Sequence, residues 1–213
     1  MRRFVLALIA IISLNAEILD RLAIALGKQV ISELQLDEEI RVTAFLNDRP
    51  IIRTEQERRA AADRLVQQLL VKREMDLSHY AQPTNEEVDA YYSSIRSAKA
   101  ASGKFTQMLT TYQLTPAILK EHLAFQLTTL KFIEYRFRPD IGISDSDIEN
   151  YYANQTAVWK ASHPGEPAPS LEASRQAIRQ ALIEDRTNQV LNTWIEETRK
   201  RVDIVYVDQS LRR

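Results

Sequence analysis

The chain contains no cysteine. Disulfide frameworks, thiolate metal sites, a cysteine nucleophile and a lipid-modified cysteine are therefore excluded. Glycine and proline are scarce, four and seven in 213 residues, which favours long helices over frequent turns. Histidine is scarcer still: only His79, His122 and His163 occur. None has metal-ligand spacing, and a Ser/His/Asp arrangement needs a positioned histidine. All three read as solvent-facing or capping residues. No G-x-x-x-x-G-K-[ST], G-x-G-x-x-G or G-x-S-x-G motif is present. The acidic groups Glu86-Glu87 and Asp145-Ser146-Asp147 stand at predicted helix starts, where capping explains them without chemistry. An excess of one charge is missing too. The 28 basic and 29 acidic residues leave a net charge of −1, with no clustered basic face to suit nucleic acid. The expectation is a non-enzyme with no cofactor, no metal, no small-molecule substrate and no nucleic-acid partner.

What is present begins with a basic start, Met1-Arg2-Arg3, and an apolar run, Phe4 to Leu14, followed by Asn15-Ala16 and charged Glu17. This is the layout of a secretory signal peptide over residues 1–16. The run is shorter than the roughly 20 residues of a transmembrane helix. Leu14 stands where a small residue is preferred at a cleavage site. An uncleaved anchor facing the same compartment is therefore the alternative to cleavage after Ala16. Either outcome predicts export.

The stretch Asp20 to Glu33, DRLAIALGKQVISE, is the one clear β signal in the first half. Apolar residues flank a Gly27-Lys28 break, the pattern of a small hairpin or bulged pair. Two strands alone are marginal in water. The other strand-like run is Val202 to Val207, so the two ends are expected to pair and close a helical body between them.

That body reads as a series of capped helices. One spans Leu34 to Asn47, with Leu36, Ile40, Ala44 and Phe45 at helical spacing. Thr54 with Glu57, Thr84 with Glu87 and Ser144 with Asp147 are N-terminal signals. Thr115-Pro116 is an N-cap followed by proline at the first helical position. It opens a helix to about Arg138, marked by Ile118, Leu119, Leu123, Leu127, Leu130, Ile133 and Phe137. A short helix is expected over Phe105 to Tyr112. Lys160 to Ser170, KASHPGEPAPS, reads as a linker. Beyond it, Glu172 to Arg201 reads as one helix with Ile178, Ala181, Leu182, Leu191, Trp194 and Ile195 on a single face. The fold class is mainly α, with a few short strands pairing the two ends. The expected division is residues 1–16 signal, 17–159 helical body, 160–170 linker, and 171–213 a helix and strand packing back.

Tyr91-Tyr92 and Tyr151-Tyr152 recur several residues into capped helices. The bland reading puts one tyrosine of each pair in the core and the other on the rim. The functional reading is an amphipathic surface that accepts apolar polypeptide. Met75, Phe105, Met108 and Tyr112 are further candidates, methionine being adaptable in such grooves. As individual residues they are more often core.

The order of these parts resembles the SurA family of periplasmic chaperones. DRLAIALGKQVISELQLDEEI is similar to the opening of their N-terminal domain. The Leu65–Leu70 helix, the Thr84–Val88 start, the long helix ending at Arg138 and the Ile143-Ser144-Asp145 lead into Tyr151-Tyr152 follow in the same order. The last segment, from Ala173 to Asp208, is similar to the C-terminal helix and strand of SurA and related parvulin-type foldases. In many relatives a prolyl-isomerase domain of roughly 100 residues stands where this chain has only the Lys160–Ser170 linker. The resemblance therefore implies an ATP-independent periplasmic holdase without isomerase activity. It also implies unfolded polypeptides as clients, especially outer-membrane β-barrel precursors. A scaffold subunit that uses the same helical surface for one folded partner is the alternative. A residual prolyl isomerase is a second.

Overall fold

The structure is a computed structural model and describes residues 20–99 and 104–212. The expected signal segment, residues 1–16, lies outside the described residues.

Strands β1 (Leu22–Leu26) and β2 (Gln29–Ser32) form an antiparallel hairpin. Gly27 stands at the first position of its two-residue loop with φ of 58°, a left-handed conformation that glycine adopts without a Cβ clash. Pairing is irregular between Leu22 and Ile24. Strand β3 (Ile204–Tyr206) pairs antiparallel with the free edge of β1, matching Ile24 with Tyr206 and Leu26 with Ile204. The sheet order is β2-β1-β3, so the last strand does close on the first hairpin. The backbone N–H of Gly27 also donates to the Asp203 carbonyl at 3.1 Å.

Between these ends lie α1 (Glu33–Leu46), α2 (Glu55–Leu77), α3 (Asn85–Lys99), α4 (Phe105–Thr111), α5 (Pro116–Arg136), α6 (Asp145–Ser162) and α7 (Leu171–Arg199). The mainly α architecture follows from the capping chemistry. The side chains of Ser32, Thr54, Thr84, Thr115, Ser144 and Ser170 each accept from a backbone N–H in the first turn of the next helix. Each satisfies a donor that the helix cannot. At Ser32, Thr84 and Ser144 the reciprocal bond from the capping residue's own N–H is also made.

Among the described residues, three hydrophobic clusters hold the elements together. The first joins the sheet to α1 and α2 through Ile24, Leu26, Ile31, Leu36, Val66 and Leu70. Leu211, from a 3-10 turn over Gln209–Leu211, also packs there. The second joins Val42 and Phe45 of α1 to Phe105 and Leu109 of α4 and Leu119 and Leu123 of α5. The third joins Val71 and Met75 of α2 to Phe132 and Phe137, with Leu191 and Trp194 of α7 against them.

Neither long helix keeps one buried face, which corrects the single-face reading of the Glu172–Arg201 helix. Leu119 and Leu123 of α5 face the second cluster, whereas Thr128 and Phe132 are the buried positions further on. Leu123 and Phe132 are nine residues apart, about two and a half turns, so they point to opposite sides. Leu130, one of the apolar residues that mark the helix, is 55% exposed. α7 changes face in the same way. Ile178 is buried on the stretch that packs with α6, while Leu191, Trp194 and Ile195 face the body. Ile178 and Trp194 are sixteen residues apart, again near a half-integral number of turns. Each helix passes between two partners on opposite sides, which one continuous stripe cannot describe.

α6 runs to Ser162, so the connection to α7 is only residues 163–170. α6 and α7 pack side by side. Arg175 pairs with Asp145 at 2.8 Å, Arg186 pairs with Asp147 at 2.6 Å, and the Tyr152 hydroxyl donates to the Pro169 carbonyl at 2.8 Å.

Candidate functional site

α7 crosses the body where α2 and α5 end, and a cleft of about 810 Å³ opens beside it. Its apolar lining comes from Leu70 and Leu77 of α2, Phe137 after α5, Val190 and Trp194 of α7, and Val202. Trp194 forms the back wall. Its ring centroid lies 4.7 Å from that of Phe132 and 6.4 Å from that of Phe137, and the two phenyl rings meet edge to face at 5.3 Å. Aromatic rings packed this way are fixed in place and contribute beyond their buried area. At the mouth, Leu77 is 66% and Val190 43% exposed. Arg73, Glu74, Arg136, Glu197 and Arg201 also line the cleft. The cleft thus sets apolar side chains beside charged ones in one lining.

On the other side of the α7 crossing lies a second pocket of about 450 Å³. Glu39 and Arg64 line it, beside apolar Leu46, Val71, Tyr91, Leu130 and Ile195. Glu39 is buried and takes a 2.6 Å bond from Arg64 Nε and a 3.1 Å bond from Thr43 Oγ1. Its other oxygen is 3.0 Å from His122 Nδ1. An ionised carboxylate only accepts, so Nδ1 carries the proton in this contact. Burial pushes the Glu39 carboxyl up, but the His122 and Arg64 hydrogen bonds and the Arg64 charge outweigh it and hold its pKa below the ordinary 4.5. His122 is thus a buried, bonded residue, correcting its reading as solvent-facing or capping. Glu39 and His122 stand 83 positions apart in sequence, so local pattern gave no signal for the pair. His79 is exposed, and His163 caps α6 while stacking on Trp159 at 4.0 Å.

The polypeptide-binding candidates separate into three places. Tyr91, Tyr92, Phe105, Met108 and Tyr112 do come together, in the second cluster. There Phe105 is buried, Tyr92 packs edge to face on Phe105 at 5.7 Å, and Tyr112 packs on Phe45 at 5.6 Å. The Tyr112 hydroxyl donates to the Arg49 carbonyl at 2.9 Å, and the Tyr91 hydroxyl donates to Gln126 at 3.2 Å. Met75 is fully buried behind the cleft in the third cluster. Neither Met75 nor Phe105 presents a surface to a polypeptide, which corrects their selection: both fill interhelical space. Tyr151 and Tyr152 lie on α6, half-buried, with Tyr152 held by Pro169.

Trp194, Leu77 and Val190 were not selected from the sequence. The sequence pattern places Trp194 on one face of its helix and gives no sign of a cleft. Val190 carried a weak signal, as an apolar residue one position outside that face. Among the described residues, no cluster of three or more His, Asp or Glu side chains is placed to hold a metal ion, and no helix is long and apolar enough to cross a membrane.

No protein-family model matches the chain, and no curated protein matches it.

Proposed function

We propose that the protein is an ATP-independent holdase of the periplasm that takes unfolded polypeptide into the cleft beside α7. The observation that carries this reading is the cleft itself. It joins an aromatic wall at Trp194 and Phe137 to exposed Leu77 and Val190 at its mouth. Unfolded chains expose apolar and aromatic side chains, and covering them lowers the free energy without any chemical step. Ordering a disordered client opposes this, so each contact is weak and reversible. The order of elements that resembles the SurA family supports the same reading, as does the basic and apolar layout of residues 1–16. On that resemblance the clients are outer-membrane β-barrel precursors, and the chain acts by binding, without isomerase activity.

The test is aggregation of an unfolded barrel protein diluted from denaturant, followed by light scattering. Modest molar excess of the protein is expected to suppress the signal without nucleotide. Trp194→Ala, with retained helicity, is expected to weaken the suppression. Unchanged scattering with the unmodified protein overturns the reading.

A further inference from the structure

The cleft has a charge pattern that its apolar wall does not require. Arg73 comes from α2, Arg136 from the end of α5, and Arg201 from just beyond α7. Among the described residues, none of the three guanidiniums makes a salt bridge or hydrogen bond, although the Arg201 charge helps to hold the Glu197 carboxyl below its ordinary value. Other arginines of the body are engaged: Arg58 with Glu33 and Asp208, Arg64 with Glu39, Arg186 with Asp147, and Arg199 with Asp63. The lining sets three arginines against two glutamates. Of these, Glu197 already pairs with Lys200 at 2.9 Å, and Glu74 accepts from the Ser78 hydroxyl at 3.2 Å. The cleft is therefore net positive on a chain whose net charge is −1.

Each guanidinium also stands beside an apolar lining residue. Arg73 is one helical turn from Leu77, and Arg201 precedes Val202. Arg136 lies over the Phe137 ring, 5.8 Å from its centroid. A carboxylate that reached any of them would bring its neighbouring side chain onto the apolar wall.

We infer that the cleft selects polypeptide segments in which Asp or Glu adjoins an aromatic residue, the carboxylate meeting Arg73, Arg136 or Arg201 while the ring packs toward Trp194. This rests on the holdase reading and names the sequence class that its site prefers. Charge at such a margin gives specificity more than raw affinity. The preference is screened by salt, since the Debye length is about 10 Å at 0.1 M.

The test compares three labelled peptides by fluorescence anisotropy: an aromatic-rich segment flanked by Asp, its Asn twin and its Lys twin. The Asp peptide is expected to bind the purified protein about tenfold tighter than the Lys twin at low salt, with the gap closing as salt rises. In Arg73→Gln/Arg136→Gln/Arg201→Gln the three peptides should bind alike, and in Arg73→Glu/Arg136→Glu/Arg201→Glu the Lys twin should bind best. All three residues are exposed, and circular dichroism checks that the variants keep their helices. If a variant unfolds, the peptide and salt comparison on the unmodified protein still decides. Equal binding of all three peptides by the unmodified protein overturns this inference and leaves the holdase reading standing. Binding of none overturns both. Binding to anionic lipid vesicles with no peptide preference overturns the inference in favour of a membrane surface.

Discussion

Replacing Leu211 by alanine should destabilise the whole protein, although the residue lies in the last short turn of the described chain. Its side chain is 3% exposed and packs with the sheet, α1 and α2. That turn is held by more than contact. Asp208 caps it by accepting from the Ser210 N–H at 2.9 Å, and Arg58 of α2 pairs with the same carboxylate at 2.7 Å. Emptying such a site removes the transfer free energy of the lost methyl groups and leaves a cavity. Buried leucine-to-alanine changes cost about 2–5 kcal/mol. A short 3-10 turn can relax into the space more readily than a mid-helix site, so the lower half applies, about 2–3 kcal/mol. With a urea slope of about 2 kcal/mol per molar, the midpoint falls by about 1 M or slightly more. Far-UV circular dichroism and tryptophan fluorescence in urea measure it together, since Trp194 packs against the same cluster. Leu211→Met nearly conserves volume and should shift the midpoint much less. A midpoint for Leu211→Ala indistinguishable from the unmodified protein would refute the closure of the two ends. The final strand and turn would then be a loosely attached extension.

Glu39 and Gly27 provide two further tests. The Glu39 carboxyl is held below its ordinary 4.5, so its contribution is fully present above that value. It is lost as pH falls through the lower folded-state pKa. Glu39→Gln should cost about 3 kcal/mol near neutral pH by leaving His122 and Arg64 without their carboxylate. The gap from the unmodified protein should narrow below pH 4.5, read from urea midpoints across a pH series; a constant gap contradicts the assignment. Gly27→Ala adds a Cβ that meets nothing within 4 Å, so its cost comes from the left-handed backbone alone, about 1–2 kcal/mol. A thermal melt showing no loss would mean that the hairpin loop does not require that conformation.

The contrast between these sites explains what could be read in the sequence. Helix starts were legible because Thr84–Glu87 and Ser144–Asp147 act within four residues, and the geometry of the first turn permits little else. The sheet was legible because a two-strand hairpin needs a third strand and the chain offers one. The face changes in α5 and α7 were not, because they depend on which partner lies on each side at each turn. Leu123 meets α1 and α4, whereas Phe132 meets α2. The cleft was hidden for the same reason: Leu77, Phe137 and Trp194 belong to three elements brought together only by the crossing of α7. Met75 and Phe105 have the residue types of a binding surface, and only their enclosure shows that they are packing.

Photo-crosslinking from the cleft shows whether unfolded polypeptide lies there. A photoreactive side chain at Val190, on the cleft mouth, is compared with one at Glu184, an exposed position of α7 outside the cleft. Both are presented with an unfolded barrel protein. Adducts are expected from position 190 that an aromatic peptide competes away, with few from position 184. Equal yields at the two positions, or adducts that no peptide displaces, would contradict binding in the cleft.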